Sequence, residues 1–223
     1  MMCDCTDPYQ PLEKEHKITR SCATVLARHH FPLLIVTKSD LVVRDLDVFK
    51  QTPTVVAMTI TTLSENIASF IEPYASPPDR RVSALQKIVG QEVTAVARID
   101  PIIPTINDNE EDFERLVSTL ADVGVKQVTI ATVKPVKGFF PTLKVTSPEI
   151  YDRLVKIYDD GWWVAGYKYL GEEKRRRILD RLRPTVLKHG LQFASCREGF
   201  SQFNTTLCDG TAYCRASLNQ YLT

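Results

Sequence analysis

The feature that most constrains this chain is a recurrence of short apolar, β-branched runs, each giving way to polar side chains at its C-terminal end. Leu33-Leu34-Ile35-Val36 breaks into Thr37-Lys38-Ser39. Val55-Val56-Ala57-Met58 passes into Thr59-Ile60-Thr61, Val93-Thr94-Ala95-Val96-Ala97 into Arg98-Ile99, and Val128-Thr129-Ile130-Ala131 ends at Thr132. Runs of this kind read as strands buried on both faces, as in parallel sheets. Leu191-Gln192-Phe193-Ala194 is a late fifth candidate.

Between these runs lie helical patterns. Residues 13–29 and 40–50 read as helices, and Ser76-Pro77-Pro78-Asp79 opens another whose Val82, Leu85 and Ile88 share one side. Asp108 is placed to accept from the free amides of a helix starting near Asn109. Glu110 and Glu111 favour that helix's positive end, Leu116, Leu120 and Val123 form its apolar face, and Gly124 can end it. Strand and helix alternating in steps of roughly thirty residues predict right-handed βαβ units in an α/β protein with a parallel sheet. A partial parallel (β/α) barrel is favoured over a doubly wound sheet, because no glycine-rich phosphate turn follows any strand. With 223 residues, 43% of them hydrophobic, one core is expected. Residues 1–135 would form the barrel core, and 136–223 the remaining barrel elements and a helix-rich C-terminal extension of the same domain. In that second part Gly138-Phe139-Phe140-Pro141 reads as a turn and the surroundings of Trp162-Trp163 as helix-rich tail.

Lys and Arg total 28 against 27 Asp and Glu, so the net charge of +1 gives no global reason to expect nucleic acid or an anionic membrane as partner. The one dense basic run, Lys174 to Arg177 with Arg181 and Arg183, reads as a solvated helix face. No apolar window is long enough for a bilayer and no leader pattern opens the chain, so a cytoplasmic protein is expected. The six cysteines then read as core thiols, metal or cluster ligands, or redox groups before they read as disulfides. Cys196, Cys208 and Cys214 are candidate ligands for zinc or an auxiliary cluster, although they lack a paired C-x2-C. His16, His29, His30 and His189 show no metal spacing.

In parallel α/β barrels the loops after the strands converge on one cavity. Thr6-Asp7, Lys38-Ser39, Thr59 with Thr61, and Arg98 with Asp100 are therefore expected at a common site. A lysine, an arginine and several hydroxyls suit a ligand carrying a carboxylate and ribose-like hydroxyls. Plainer readings stand beside this one: Asp7-Pro8 as a turn, Lys38 as a surface cation paired with Asp40, Thr59 and Thr61 as ordinary strand residues, Trp162 and Trp163 as packing aromatics.

The motifs in sequence order carry a resemblance. Thr6-Asp7-Pro8-Tyr9-Gln10-Pro11-Leu12-Glu13 with Thr19-Arg20, Thr37-Lys38-Ser39 with Arg44-Asp45, Thr59-Ile60-Thr61-Thr62-Leu63 with Glu72-Pro73 and Arg81, and Pro101-Ile102-Ile103-Pro104 with Asn107-Asp108 resemble successive strand motifs of one family. These are the radical S-adenosylmethionine proteins related to spore photoproduct lyase. Cys196-Arg197-Glu198-Gly199 and Cys208-Asp209-Gly210 resemble that group's tail. The resemblance implies a partial barrel holding a 4Fe-4S cluster on C-x3-C-x2-C, whose open iron binds S-adenosylmethionine. Reductive cleavage of that cofactor to a 5′-deoxyadenosyl radical, in lyase or repair-type chemistry, is the implied activity. Thr6, Lys38, Thr59 and Arg98 would contact the cofactor; the catalytic residues and the substrate are left open, as is a nucleic-acid substrate.

The chain departs from the pattern in one respect. No C-x3-C-x2-C occurs: Cys3 and Cys5 are separated by one residue, Cys22 stands alone, and the tail cysteines lie far apart. The chain begins at what should be the end of the second strand, which reads as an N-terminally shortened product lacking the first βα unit. On that reading it cannot assemble the cluster. The alternatives are a non-catalytic barrel that binds a nucleotide-like ligand or partner, and an inactive gene fragment.

Overall fold

The computed structural model describes residues 1–2 and 6–214, with Cys214 as backbone alone. The strands are β1 (Leu33–Thr37), β2 (Thr54–Thr59), β3 (Thr94–Ile102), β4 (Gln127–Thr132), β5 (Trp162–Val164), β6 (Tyr167–Tyr169) and β7 (Gln192–Ser195). The helices are α1 (Glu13–His16), α2 (Ile18–Arg28), α3 (Leu46–Phe49), α4 (Glu65–Ile71), α5 (Pro78–Gly90), α6 (Glu110–Val123), α7 (Phe139–Thr146), α8 (Pro148–Ile157) and α9 (Glu172–Lys188). Five strands form one sheet in the order β1-β2-β3-β4-β7, every pair parallel. The order follows the chain without reversing, so there is no switch point of the doubly wound kind. This is an α/β barrel segment, as the spacing predicts.

Each strand presents alternate residues to two different surroundings. Ile35, Met58, Ala97, Ile130 and Phe193 belong to the main core with Leu85 and Ile88 of α5, Leu116 and Leu120 of α6, and Leu179 and Leu182 of α9. On the opposite, inner face a smaller cluster of Leu34, Val55, Ala57 and Val96 packs with Tyr213. The segment around residues 207–213 crosses that inner face. Gln127 Nε2 donates to the carbonyl of Leu207 at 2.9 Å and Thr129 Oγ1 to that of Cys208 at 2.8 Å.

Four local expectations are corrected. Residues 13–29 form two helices, because Lys17 adopts a left-handed conformation (φ 52°) that ends α1. The break lets the Glu13 carboxylate accept from the amides of Thr19 and Arg20, at 2.9 and 3.2 Å, and so cap α2. Asn109, and not Asp108, caps α6, its side chain accepting from the Asp112 amide; Asp108 instead accepts from the Thr105 amide and pairs with Arg181 at 2.8 Å. Gly138 to Pro141 open α7, where proline in a first turn removes no helical hydrogen bond. Trp162-Trp163 lie in a β5–β6 hairpin whose two loop residues, Ala165 (φ 47°) and Gly166 (φ 87°), have the positive φ of the tightest hairpin turns.

The basic run also differs from a purely solvated face. Arg175 is buried, its guanidinium over the rings of Trp162, Tyr169 and Phe200, and it donates to the carbonyls of Leu170 and Glu198. Among the described residues no helix is long and apolar enough to cross a membrane.

Candidate functional site at the strand ends

Register aligns the polar strand ends. Thr59 pairs with Arg98, Arg98 with Thr129, and Thr129 with Ala194; Lys38, one residue beyond the Thr37–Met58 pair, falls level with Thr59. Alternation puts this row on the face that carries Val55, Ala57 and Val96. Lys38, Thr59 and Arg98 thus share one face near the C-terminal rim of a parallel sheet, where barrel sites assemble.

Most motif residues hold that rim together. The Asp7 carboxylate accepts from the Tyr9 amide (2.8 Å), Thr37 Oγ1 (2.7 Å) and the Lys38 amide (2.6 Å), tying the segment before α1 to the end of β1. Asp45, wholly buried, accepts from Arg20 Nη1 (2.9 Å), Arg44 Nε (2.7 Å) and Tyr9 OH (2.9 Å). Burial raises the pKa of Asp45, but the bonds from Arg44, Arg20 and Tyr9 outweigh it and hold the carboxyl below its ordinary value. Glu13 is lowered in the same manner, its burial offset by Arg44 and the α2 amides. Asn107 closes the rim at β3, donating to the carbonyls of Thr61 and Pro101, both at 3.0 Å, and accepting from the Ile103 amide. The motifs are therefore one hydrogen-bonded unit, and the plainer structural reading accounts for Asp7, Tyr9, Glu13, Arg44 and Asn107.

Thr6 and Lys38 line a cavity of about 690 Å³ with Asp7, Ser39, Glu72 and Arg80, within the usual size range of small-molecule sites. Lys38 is not paired with Asp40, which takes Arg80 (2.6 Å); its Nζ lies 2.8 Å from Glu72. Glu72 bridges Lys38 and the buried Arg81 (2.7 Å), and Arg81 Nη1 donates to the Thr59 carbonyl at 2.8 Å. The ends of β1 and β2 are joined through this bridge. Thr59 itself is 3% exposed and does not line the cavity. The buried Thr61 Oγ1 has no hydrogen-bond partner among the described residues.

Arg98 lies in a second cavity of about 300 Å³ at the ends of β3, β4 and β7, with Asp100, Thr132, Lys134, Cys196 and Arg197. Its Nη2 is 2.7 Å from Asp100, and although burial disfavours its charge, Asp100 and Cys196 hold the guanidinium above its ordinary pKa. Lys134 Nζ is 2.6 Å from the buried Glu198, which also accepts from the Thr132 amide at 2.7 Å. Arg197 sits over the Tyr167 ring of the hairpin, 4.9 Å from its centroid. Lys134 and Arg197 are the site residues that sequence reasoning did not select; Lys134, two residues beyond β4, carries the same strand-end signal as Lys38.

Among the described residues no three His, Cys, Asp or Glu side chains stand together as a metal site. Cys196 and Cys208 act on each other electrostatically; the Cys214 side chain, Cys3 and Cys5 lie outside the described residues. The cavity at β1 has the charge pattern for a zwitterionic amino acid group, with Lys38 and Arg80 beside Asp7 and Glu72. For a 4Fe-4S cluster the described side chains supply no set of thiolates.

No family model matches the chain. An uncharacterized protein of Methanocaldococcus jannaschii is 36% identical over 110 residues, 49% of this chain and 42% of the relative. An uncharacterized protein of Mycobacterium tuberculosis is 25% identical over 194 residues, 83% of this chain and 55% of its own length. The chain thus spans about half the length of these curated relatives. Among solved structures, a spore photoproduct lyase variant with bound AdoMet and dinucleoside spore photoproduct superposes with a TM-score of 0.67 at 16% identity, covering 86% of this chain and 59% of that one. The fold resembles the partial barrel of spore photoproduct lyase. Streptococcus suis SuiB bound to S-adenosylmethionine matches at a TM-score of 0.58 and 12% identity, over 87% of this chain and 39% of SuiB. A domain of a Bacteroides vulgatus pyruvate-formate lyase-activating enzyme matches at 0.51 and 9%, over 81% and 90%. Identities this low speak for the fold alone.

Proposed function

We propose that the chain binds S-adenosylmethionine along the C-terminal rim of β1 to β3, with the substrate beside it in the cavity at β3, β4 and β7. The observation that carries this reading is the row of Lys38, Thr59 and Arg98 on one face of the sheet, in a fold whose solved neighbours include proteins holding that molecule. Lys38 is suited to the methionine carboxylate, with Thr6 at the same cavity for the cofactor's polar groups. Arg98, Lys134 and Arg197 around the second cavity suit an anionic substrate group. The exposed Trp163 of the β5–β6 hairpin offers a ring face to a base. A nucleotide-like substrate fits both features.

Calorimetric titration with S-adenosylmethionine tests the reading. Lys38→Met should weaken binding about tenfold or more, as loss of a charge-assisted contact does. Unchanged affinity rejects the role of Lys38, and no binding to the unsubstituted chain rejects the cofactor.

A second reading, a cofactor-binding barrel without radical chemistry in this chain, is favoured by a sequence without C-x3-C-x2-C and by the lack of a thiolate set among the described residues. No cluster-dependent step is assigned to these residues. Anaerobic treatment with iron and sulfide, then reduction in the presence of S-adenosylmethionine, should give no 5′-deoxyadenosine; its formation would exclude the second reading.

A further inference from the structure

Two thiols take no part in the proposed cofactor row. Cys196 follows β7, and its amide donates to the carbonyl of Ile130 at 3.0 Å. Cys208 lies in the segment that crosses the inner face, and its carbonyl accepts from Thr129 Oγ1 at 2.8 Å. Thr129 and Ile130 are neighbours in β4, so one strand holds both cysteine backbones side by side. Alternation from Ala194, which pairs with Thr129, puts the Cys196 side chain on the inner face that the Cys208 segment crosses, and each thiol acts electrostatically on the other, as Cys196 does on Arg98. Cys196 lines the second cavity and is open to a small solute; both thiols are half-buried and free. No third His, Cys, Asp or Glu among the described residues joins them as a metal site.

We propose that Cys196 and Cys208 form a thiol–disulfide redox site that is oxidised by a small-molecule disulfide of the glutathione class. Cys196 attacks first, because it, unlike Cys208, lines the cavity that admits the disulfide. Its thiolate displaces one glutathione thiolate and forms a mixed disulfide. Cys208, once deprotonated, then attacks the Cys196 sulfur, forms the internal bond and releases the second glutathione. Two thiol protons leave, two electrons pass to the glutathione disulfide, and the balance closes. Burial and the neighbouring Cys196 push the Cys208 thiol above its ordinary pKa, which suits it to the second step. The bond would tie the end of β7 to the segment crossing the inner face, and would take a sulfur partner from Arg98. The second cavity is then altered by the redox state of its own wall.

The test uses the full chain with Cys3, Cys5, Cys22 and Cys214 replaced by Ser, equilibrated in mixtures of reduced and oxidised glutathione, quenched by alkylation and mapped by mass spectrometry. The expected result is a peptide pair linked through Cys196 and Cys208, lighter by two hydrogens and restored by dithiothreitol. Adding Cys208→Ser should trap glutathione on Cys196, whereas adding Cys196→Ser should leave Cys208 mostly unmodified. Full alkylation of both thiols at every glutathione ratio overturns the proposal. So do separate mixed disulfides with no link, or a stoichiometric zinc ion that protects both. Should the background variant not fold, mapping of the unsubstituted chain decides between the same outcomes, because the linked peptides identify themselves.

Discussion

Asp45 shows how a motif residue can be indispensable without touching a ligand. Its carboxylate is fully buried and takes bonds from Arg20, Arg44 and Tyr9, which hold its pKa below the ordinary value against the opposing effect of burial. A carboxyl depressed in the folded state contributes stability that is present above its unfolded pKa of about 3.9 and is lost as pH falls through the folded value. Glu13 acts in the same direction. Asp45→Asn should therefore cost about 3 kcal/mol near neutrality, leaving two guanidinium groups partly unpaired, and should flatten the fall of stability below about pH 4. Urea unfolding at several pH values checks both; an unaltered acid limb would mean that Asp45 is not a group whose protonation drives acid unfolding. Polar residues at strand ends declare themselves in the sequence, and Lys38, Thr59 and Arg98 do fall level in one row, but the expected single cavity is not formed: Lys38 lines the cavity at β1, Arg98 the one at β3, and Thr59 neither. Which motif residues brace the rim was not legible. Nothing in Asp7-Pro8-Tyr9 announces that the carboxylate reaches the Lys38 amide or that the phenol reaches Asp45, since both partners come from another part of the chain.

Elements with strong periodicity and a conformational stop were readable in advance. The helix from Glu110 ends at Gly124, whose φ of 90° is left-handed and whose amide bonds back to the carbonyls of Ala121 and Leu120. Gly124→Ala should destabilise by about 1–2 kcal/mol, because a Cβ opposes that conformation. The new methyl would only touch Val89 Cγ1 at 3.4 Å, so the loss should appear in thermal or urea unfolding without change elsewhere in the fold. A loss well above that range would mean that the methyl cannot be accommodated beside α5. Other elements were hidden because a local side-chain cap or a tight turn overrode the apolar periodicity. Lys17 breaks a continuous helical pattern where the Glu13 carboxylate can turn back onto the next helix. The Trp162 hairpin replaces an expected helical tail because Ala165-Gly166 makes a two-residue turn and Tyr167 bridges to Val136. Both turn on backbone conformation, a positive φ at Lys17 and at Ala165, that hydrophobic periodicity does not report.

At the scale of the molecule, the inner face of the sheet is filled by its own C-terminal segment, and Gly210 is where that segment presses closest. Its φ of 79° is left-handed, and a Cβ there would lie 2.9 Å from Val96 Cγ1 and 3.1 Å from Val55 Cγ1, both in the floor of the inner face. Both valines are wholly buried members of strands, so neither can swing aside. Gly210→Ala should therefore combine the left-handed penalty of about 1–2 kcal/mol with an overpacking cost of about 1–3 kcal/mol. Gly190 is the control: its φ of 74° is equally left-handed, but a Cβ there meets nothing within 4 Å. Gly190→Ala should show only the conformational part. If the segment lifts to relieve the clash, Leu207 and Cys208 surrender the bonds from Gln127 and Thr129, and amides across residues 207–213 should exchange hydrogen faster in Gly210→Ala while those of β1 to β3 keep their protection. Equal losses in the two variants, with unchanged exchange, would mean that the segment does not bear on Val55 and Val96, and that the inner face is open below the row of Lys38, Thr59 and Arg98.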